Sequence, residues 1–138
     1  MGFKRALVSG DGSLPQPLRA GDGLLANFLP TNFNAEADAT LTVAQLAGGL
    51  IQQGLTLTSD VIYTLPTAAL VLAAFPEMDD GDAYTIEVTN AQAAAFDVVI
   101  AVGADMTAIG TNNSLSVAPQ SSRFFTLVKT SATTMDLY

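Results

Sequence analysis

The chain contains no cysteine and no histidine among its 138 residues. The first absence removes disulfides, thiolate nucleophiles and thiolate zinc sites together. The second removes the usual general base and the commonest metal ligand, and with them any Ser-His-Asp arrangement. Tryptophan is also absent and there are only three tyrosines, so the aromatic platform of a sugar site is thin. Thirteen acidic residues make a carboxylate pair for glycoside hydrolysis arithmetically available, but nothing in the spacing places two of them in a cleft. Charge itself is scarce, at 13% of residues, where soluble domains average about 25%. A surface with so few charges points to contact with other protein, although Ala, Thr, Ser and Gly also dilute charge. The net charge of −8 comes without the basic stripe of a nucleic-acid binder and disfavours anionic membrane surfaces. No run of about 18 apolar residues predicts a membrane-crossing helix. Lys4 and Arg5 are not followed by an apolar stretch of signal-peptide length. The expectation is a non-enzymatic protein with no cofactor, no metal, no nucleic acid and no membrane partner.

What is present divides the chain in two. Residues 1–36 hold three of the five basic side chains, Lys4, Arg5 and Arg19, balanced by Asp11, Asp22 and Glu36, so the segment is formally neutral. Ser-Gly-Asp-Gly at 9–12 is echoed by Ala-Gly-Asp-Gly at 20–23, both turn signals. Leu-Pro-Gln-Pro-Leu at 14–18 prefers an extended conformation. Phe3, Leu7, Val8, Leu14, Leu18, Leu24, Leu25, Phe28 and Phe33 make this segment too apolar for a solvated tail. It reads as an extended arm lying on a protein surface, another chain's or its own.

Residues 37–138 read as the folded body. Residues 39–42 predict a short strand, and Thr42 is placed to cap a single helical turn over 43–47 closed by Gly48 and Gly49. Residues 50–53 and 59–65 predict strands, the second with Val61, Tyr63 and Leu65 on one face. Thr67 opens a helix over 68–75, ended by Pro76, that is apolar nearly all round and so expected to be buried. Residues 83–89 alternate, with Tyr84, Ile86 and Val88 on one side. Residues 96–102 are apolar enough for burial on both faces. A weak hairpin is expected from 107–109 and 114–117, and another from 123–130 and 134–138. About eight short strands at this spacing predict an all-β fold. The specific expectation is an antiparallel β-sandwich or barrel, jelly-roll-like, with one short helix and the extended N-terminal arm.

Two motifs invite chemistry and fall short of it. Glu77, Asp79, Asp80 and Asp82 surround Gly81 like a calcium loop, but the full ligand spacing and closing glutamate are missing. A solvated turn is the better reading. The Gly-Asp-Gly pairs lack the Lys-Ser/Thr of a phosphate loop and its strand-to-helix setting.

Several stretches together carry a resemblance: Leu-Thr-Val-Ala-Gln-Leu-Ala-Gly-Gly-Leu-Ile at 41–51, Thr-Leu-Pro-Thr-Ala-Ala-Leu at 64–70 with Gly81 beyond, Tyr-Thr-Ile-Glu-Val-Thr-Asn at 84–90, and the closing Thr-rich strands. Across residues 39–138 the chain resembles small virion proteins of tailed bacteriophages, of the capsid decoration (cement) or head-fibre type. The resemblance implies a β-rich domain, commonly a homotrimer, on the outer surface of a capsid. Its partner would be the major capsid protein. The arm lies outside the resemblance. Its expected capsid-binding residues are Phe3, Lys4, Arg5, Leu7, Leu14, Leu18, Arg19, Leu24, Leu25, Phe28 and Phe33. The alternative within this class is a tail-fibre, tail-tip or head-fibre component that contacts the host through loops 77–82 and 110–113. A carbohydrate-binding module or hydrolase is the reading from another class, disfavoured by the missing Trp and His.

Overall fold

The computed structural model describes residues 29–32, 35–110 and 115–138. Within them the chain alternates between two sheets. The strands are β1 (Leu29–Asn32), β2 (Ala39–Thr40), β3 (Gly49–Gln53), β4 (Val61–Thr64), β5 (Ala83–Asn90), β6 (Val98–Ala101), β7 (Met106–Ala108), β8 (Ser116–Val117), β9 (Ser121–Lys129) and β10 (Met135–Leu137). Two helices, α1 (Val43–Ala47) and α2 (Ala68–Ala74), interrupt them. One sheet has six strands in the order β1-β3-β5-β9-β10-β7, the other four in the order β2-β4-β6-β8.

Both sheets are mixed. β1, β3 and β5 run parallel, as do β2, β4 and β6. β9 then pairs antiparallel with β5 and with β10, and β8 antiparallel with β6. The expected all-antiparallel arrangement is therefore corrected. Parallel neighbours need a crossover between them, and here that crossover is a strand of the other sheet. The first six strands thus make three successive rungs, each visiting both sheets. The same topology corrects the hairpin expected around 107–117: β7 pairs with β10 and β8 with β6. The hairpin formed by the last two strands, β9 and β10, is present. β1 lies within the segment read as arm, so residues 29–32 belong to the six-stranded sheet.

Side-chain alternation turns one face of each sheet inward. Ile51 from β3, Ile86 and Val88 from β5, Phe125 and Leu127 from β9, and Met135 and Leu137 from β10 are buried. So are Val61 and Tyr63 of β4, Val98 and Ile100 of β6, and Val117 of β8. All join a single hydrophobic cluster. Full burial of each large aliphatic side chain contributes about 1.5–3 kcal/mol. β6, expected to be buried on both faces, is buried on one: Val99 and Ala101 are half-exposed.

Because the rung strands are parallel, the links that return from β2, β4 and β6 to the large sheet fall at the same end of the stack. α1 and α2 are two of these links. Thr42 caps α1 through a capping box with Gln45, whose amide N–H donates to Thr42 Oγ1 at 3.2 Å. Gly49, at φ 77°, takes the left-handed conformation that turns the chain into β3. Thr67 caps α2, its Oγ1 accepting from the Leu70 N–H at 3.3 Å. The third link passes through Gly103, where an added Cβ would lie 2.2 Å from the Pro66 carbonyl oxygen. Only hydrogen fits there.

Candidate interaction surfaces

The sequence-derived arm residues Phe3, Lys4, Arg5, Leu7, Leu14, Leu18, Arg19, Leu24, Leu25, Phe28 and Phe33 lie outside the described residues. So do residues 111–113 of the second candidate loop. The sites that can be built are on the body.

The acidic loop is organised around a lysine. The Lys129 ammonium donates to the Met78 carbonyl at 2.7 Å and lies 3.5 Å from an Asp80 carboxylate oxygen. Asp82 turns back to accept from the Asp79 N–H at 2.8 Å. The Gly81 N–H donates to the Lys129 carbonyl at 2.8 Å, joining the loop to the end of β9. A fixed cation thus sits against the loop's carbonyl and carboxylate oxygens, and no metal-ligating group of three or more acids occurs among the described residues.

At the opposite end of the stack the links lack helices and are held by buried amides. Gln53 Nε2 donates to the Ala35 carbonyl at 2.8 Å and to the Tyr63 hydroxyl at 2.9 Å, while Gln53 Oε1 accepts from the Leu55 N–H at 2.6 Å. Tyr63 in turn donates to the Ala35 carbonyl at 3.0 Å. Asn90, level with Gln53 on the next strand, donates to the Phe96 and Val117 carbonyls, both at 3.0 Å. Gln92 donates to the Phe96 carbonyl at 2.6 Å. These bonds satisfy backbone carbonyls and N–H groups of the links. Burial raises the pKa of Tyr63 and outweighs the lowering effect of its bonds to Gln53 and Ala35. Burial likewise raises that of Tyr84, whose hydroxyl donates to the Ala47 carbonyl at 2.9 Å. These groups therefore stay neutral and are poor bases at ordinary pH.

Among the described residues, the most exposed large apolar side chains lie in two places. α2, expected to be buried, buries only Ala68 and Val71. Ala69, Leu70, Ala73 and Ala74 face outward, with Leu70 56% exposed. The helix caps the stack from outside, and its sequence, all Ala, Leu and Val, gives it no polar face to turn to solvent. The second place is the outer face of the six-stranded sheet. There Leu50, Glu87 and Phe124 stand in register across β3, β5 and β9. Phe124 is 61% exposed. Tyr138, 55% exposed, exchanges backbone bonds of 3.0 and 2.9 Å with Thr126, one step along the same face. Hydroxyl pairs flank the row: Thr85 with Thr126 at 3.0 Å and Thr89 with Ser122 at 2.8 Å. One signal for this surface was in the sequence. Phe124 and Phe125 are adjacent in a strand, and strand geometry sends neighbours to opposite faces, so one of them had to point out.

No family model, curated protein or solved structure matches this chain. Among the described residues, no helix is long and apolar enough to cross a membrane.

Proposed function

We propose that this protein is a structural component of a tailed-bacteriophage virion, a decoration or cement protein that binds the outer surface of the major capsid protein shell and stabilises it. It has no catalytic role in this reading. The resemblance across residues 39–138 supplies the virion context. The observation that supports surface binding is the uncovered apolar surface at Leu70, Phe124 and Tyr138, on a chain with only 13% charged residues. The two sheets are the facing layers of a sandwich, since side chains of both fill one cluster, and the body assembles as a homotrimer.

The arm supplies the second contact. Its Leu and Phe side chains contribute about 1.5–3 kcal/mol each when fully buried, whereas an exposed ion pair of Lys4, Arg5 or Arg19 contributes about 0–1 kcal/mol. Three linked arms multiply modest contacts. The edge strands offer a further mode, addition of a strand from the partner. β2 and β8 are two-residue edges, which leaves β1 and β7 as the longer templates.

Deletion of residues 1–28 tests the arm and leaves β1 in the sheet. The truncated protein is expected to lose occupancy on shells that the full chain coats. Normal occupancy would remove the arm from the binding mechanism. Failure of the full chain to sediment with shells, or its location in a few copies at the tail, would sink the decoration role. Light scattering on the purified protein checks the trimer, and a monomer mass rejects it.

A further inference from the structure

The outer face of the six-stranded sheet carries a row that its own sheet does not complete. Leu50 and Phe124 flank Glu87 in direct register, and Glu87 is half-buried between them. The ion pair found among the described residues joins Lys129 to Asp80 and leaves Glu87 outside it. Tyr138 is the diagonal neighbour of Phe124 on this face, close enough for two aromatic side chains to share one occupant. An apolar pair, an aromatic at its corner and a carboxylate in its middle fit an extended segment that is mostly apolar and carries a cation.

The chain has such a segment and delivers it to this sheet. Residues 1–28 lie before β1, and Leu29 pairs with Gly49 at the edge of the same sheet. This segment carries Lys4, Arg5 and Arg19 against two acids, whereas residues 29–138 carry 2 basic side chains against 11 acidic ones. From β1 to β9 is three strand spacings, roughly 14 Å. Four extended residues cover roughly 13 Å, so a segment leaving β1 and crossing the outer face brings the region of Leu24 and Leu25 over β9. Reach is then short, and attachment to the same chain gives an effective concentration on the order of millimolar.

We propose that the row Leu50–Glu87–Phe124, with Tyr138, is the docking platform for the chain's own N-terminal segment in the free protein. Leu24 and Leu25 cover Phe124, and Arg19, the cation nearest to them in sequence, is returned towards Glu87 by the turn signal at 20–23 and neutralises it. The capsid reading uses Phe124 and Tyr138 of this same face, so the two readings describe the free and the shell-bound protein. A protein that uses the segment as a strap on another surface would first release it from this platform.

The absence of native cysteine makes the test direct. Full-length double variants pairing Phe124→Cys with Leu18→Cys, Leu24→Cys or Leu25→Cys are treated with diamide, and the products are separated by mass. At least one pair is expected to close within a single chain, at least tenfold faster than a control pairing Phe124→Cys with Phe3→Cys. Adding Glu87→Arg to the fastest pair is expected to slow closure several-fold, while the thermal midpoint confirms that the fold is kept. In the uncrosslinked wild type, deletion of residues 1–28 is expected to shift the amide resonances of Leu50, Glu87, Phe124 and Tyr138. Crosslinks only between chains, shown by mixing single-cysteine variants, would overturn the proposal in favour of a second copy as occupant. No crosslink faster than the control, with unchanged resonances on deletion, would overturn it outright. Sedimentation of the full chain with shells is scored separately. A positive crosslink without shell binding sinks the capsid reading alone, and shell binding without a crosslink sinks the platform alone.

Discussion

The two ends of the stack close the same core in different ways. At one end the links are α1, α2 and a tight turn at Gly103. Helices this short satisfy only part of their own backbone, and threonine caps and bonds such as the Ala68 N–H to the Ala104 carbonyl at 3.0 Å satisfy more of it. At the other end the links are irregular. Their carbonyls would be buried without partners, and Gln53, Tyr63, Asn90 and Gln92 supply the missing bonds from inside the core. One buried oxygen, Asn90 Oδ1, has no partner among the described residues. The helical end distributes its stabilisation over many contacts, while the loop end concentrates it in a few amides.

The largest expected effect breaks the helical end at its tightest point. Gly103→Val would drive a side chain into the backbone at Leu65 and Pro66, which cannot move aside as a side chain would. A loss of about 3 kcal/mol or more is expected, read as a fall in the urea midpoint, and wild-type stability would refute this close approach. Next is the loop end. Gln53→Ala removes three bonds and leaves the Tyr63 hydroxyl and part-buried backbone groups of Ala35 and Leu55 short of partners, for an expected loss of about 2–3 kcal/mol. At the helical end, Thr67→Ala or Thr42→Ala should each cost about 1 kcal/mol. Equal losses for the cap variants and Gln53→Ala in the same denaturation assay would erase the contrast between capped helices and buried amides. The smallest effect is at the acidic loop. Lys129→Met is expected to change stability by no more than about 1 kcal/mol, and calcium should not raise the melting temperature of the wild type.

The two ends also share a pH limit. Tyr63 lies at the loop end and Tyr84 at the helical end, and burial raises both above the ordinary value of 10.0. Because the folded state holds each neutral, their contribution is complete below the unfolded pKa near 10 and is lost as pH rises through the raised folded values. With no histidine, no histidine titration affects stability between about pH 5 and 8. Stability should therefore decline above pH 10 in denaturant titrations. Tyr84→Phe and Tyr63→Phe should each flatten part of that decline, and a decline unchanged in both variants would rule these tyrosines out as its cause.

Much of the local structure was legible because its causes are local. The Thr42 cap with Gly48 and Gly49 specified α1, the 67–76 stretch specified α2, and alternation placed Tyr84, Ile86 and Val88 on one face. The pairing of strands was not legible. Parallel rungs match Leu50 with Glu87 and Val61 with Val98, separations for which no turn sequence provides a signal. The exposure of α2 was not legible, because an apolar helix is buried only where a second surface covers it, and among the described residues the body covers one side. The arm residues lie outside the described structure, so what was legible there is composition: neutral, apolar and punctuated by glycine.

The way β1 joins the body sets how tension travels through the molecule. A pull on the N-terminal segment enters at Leu29 and is borne first by four register pairs between β1 and β3, whereas β5 and β9 are held together by eight. Drawn sideways from the sheet edge, β1 peels away one pair at a time while the deeper strands stay joined. The first rung therefore acts as a mechanical fuse: a tether under load yields there before the core opens, and the body can rejoin it when the load is removed.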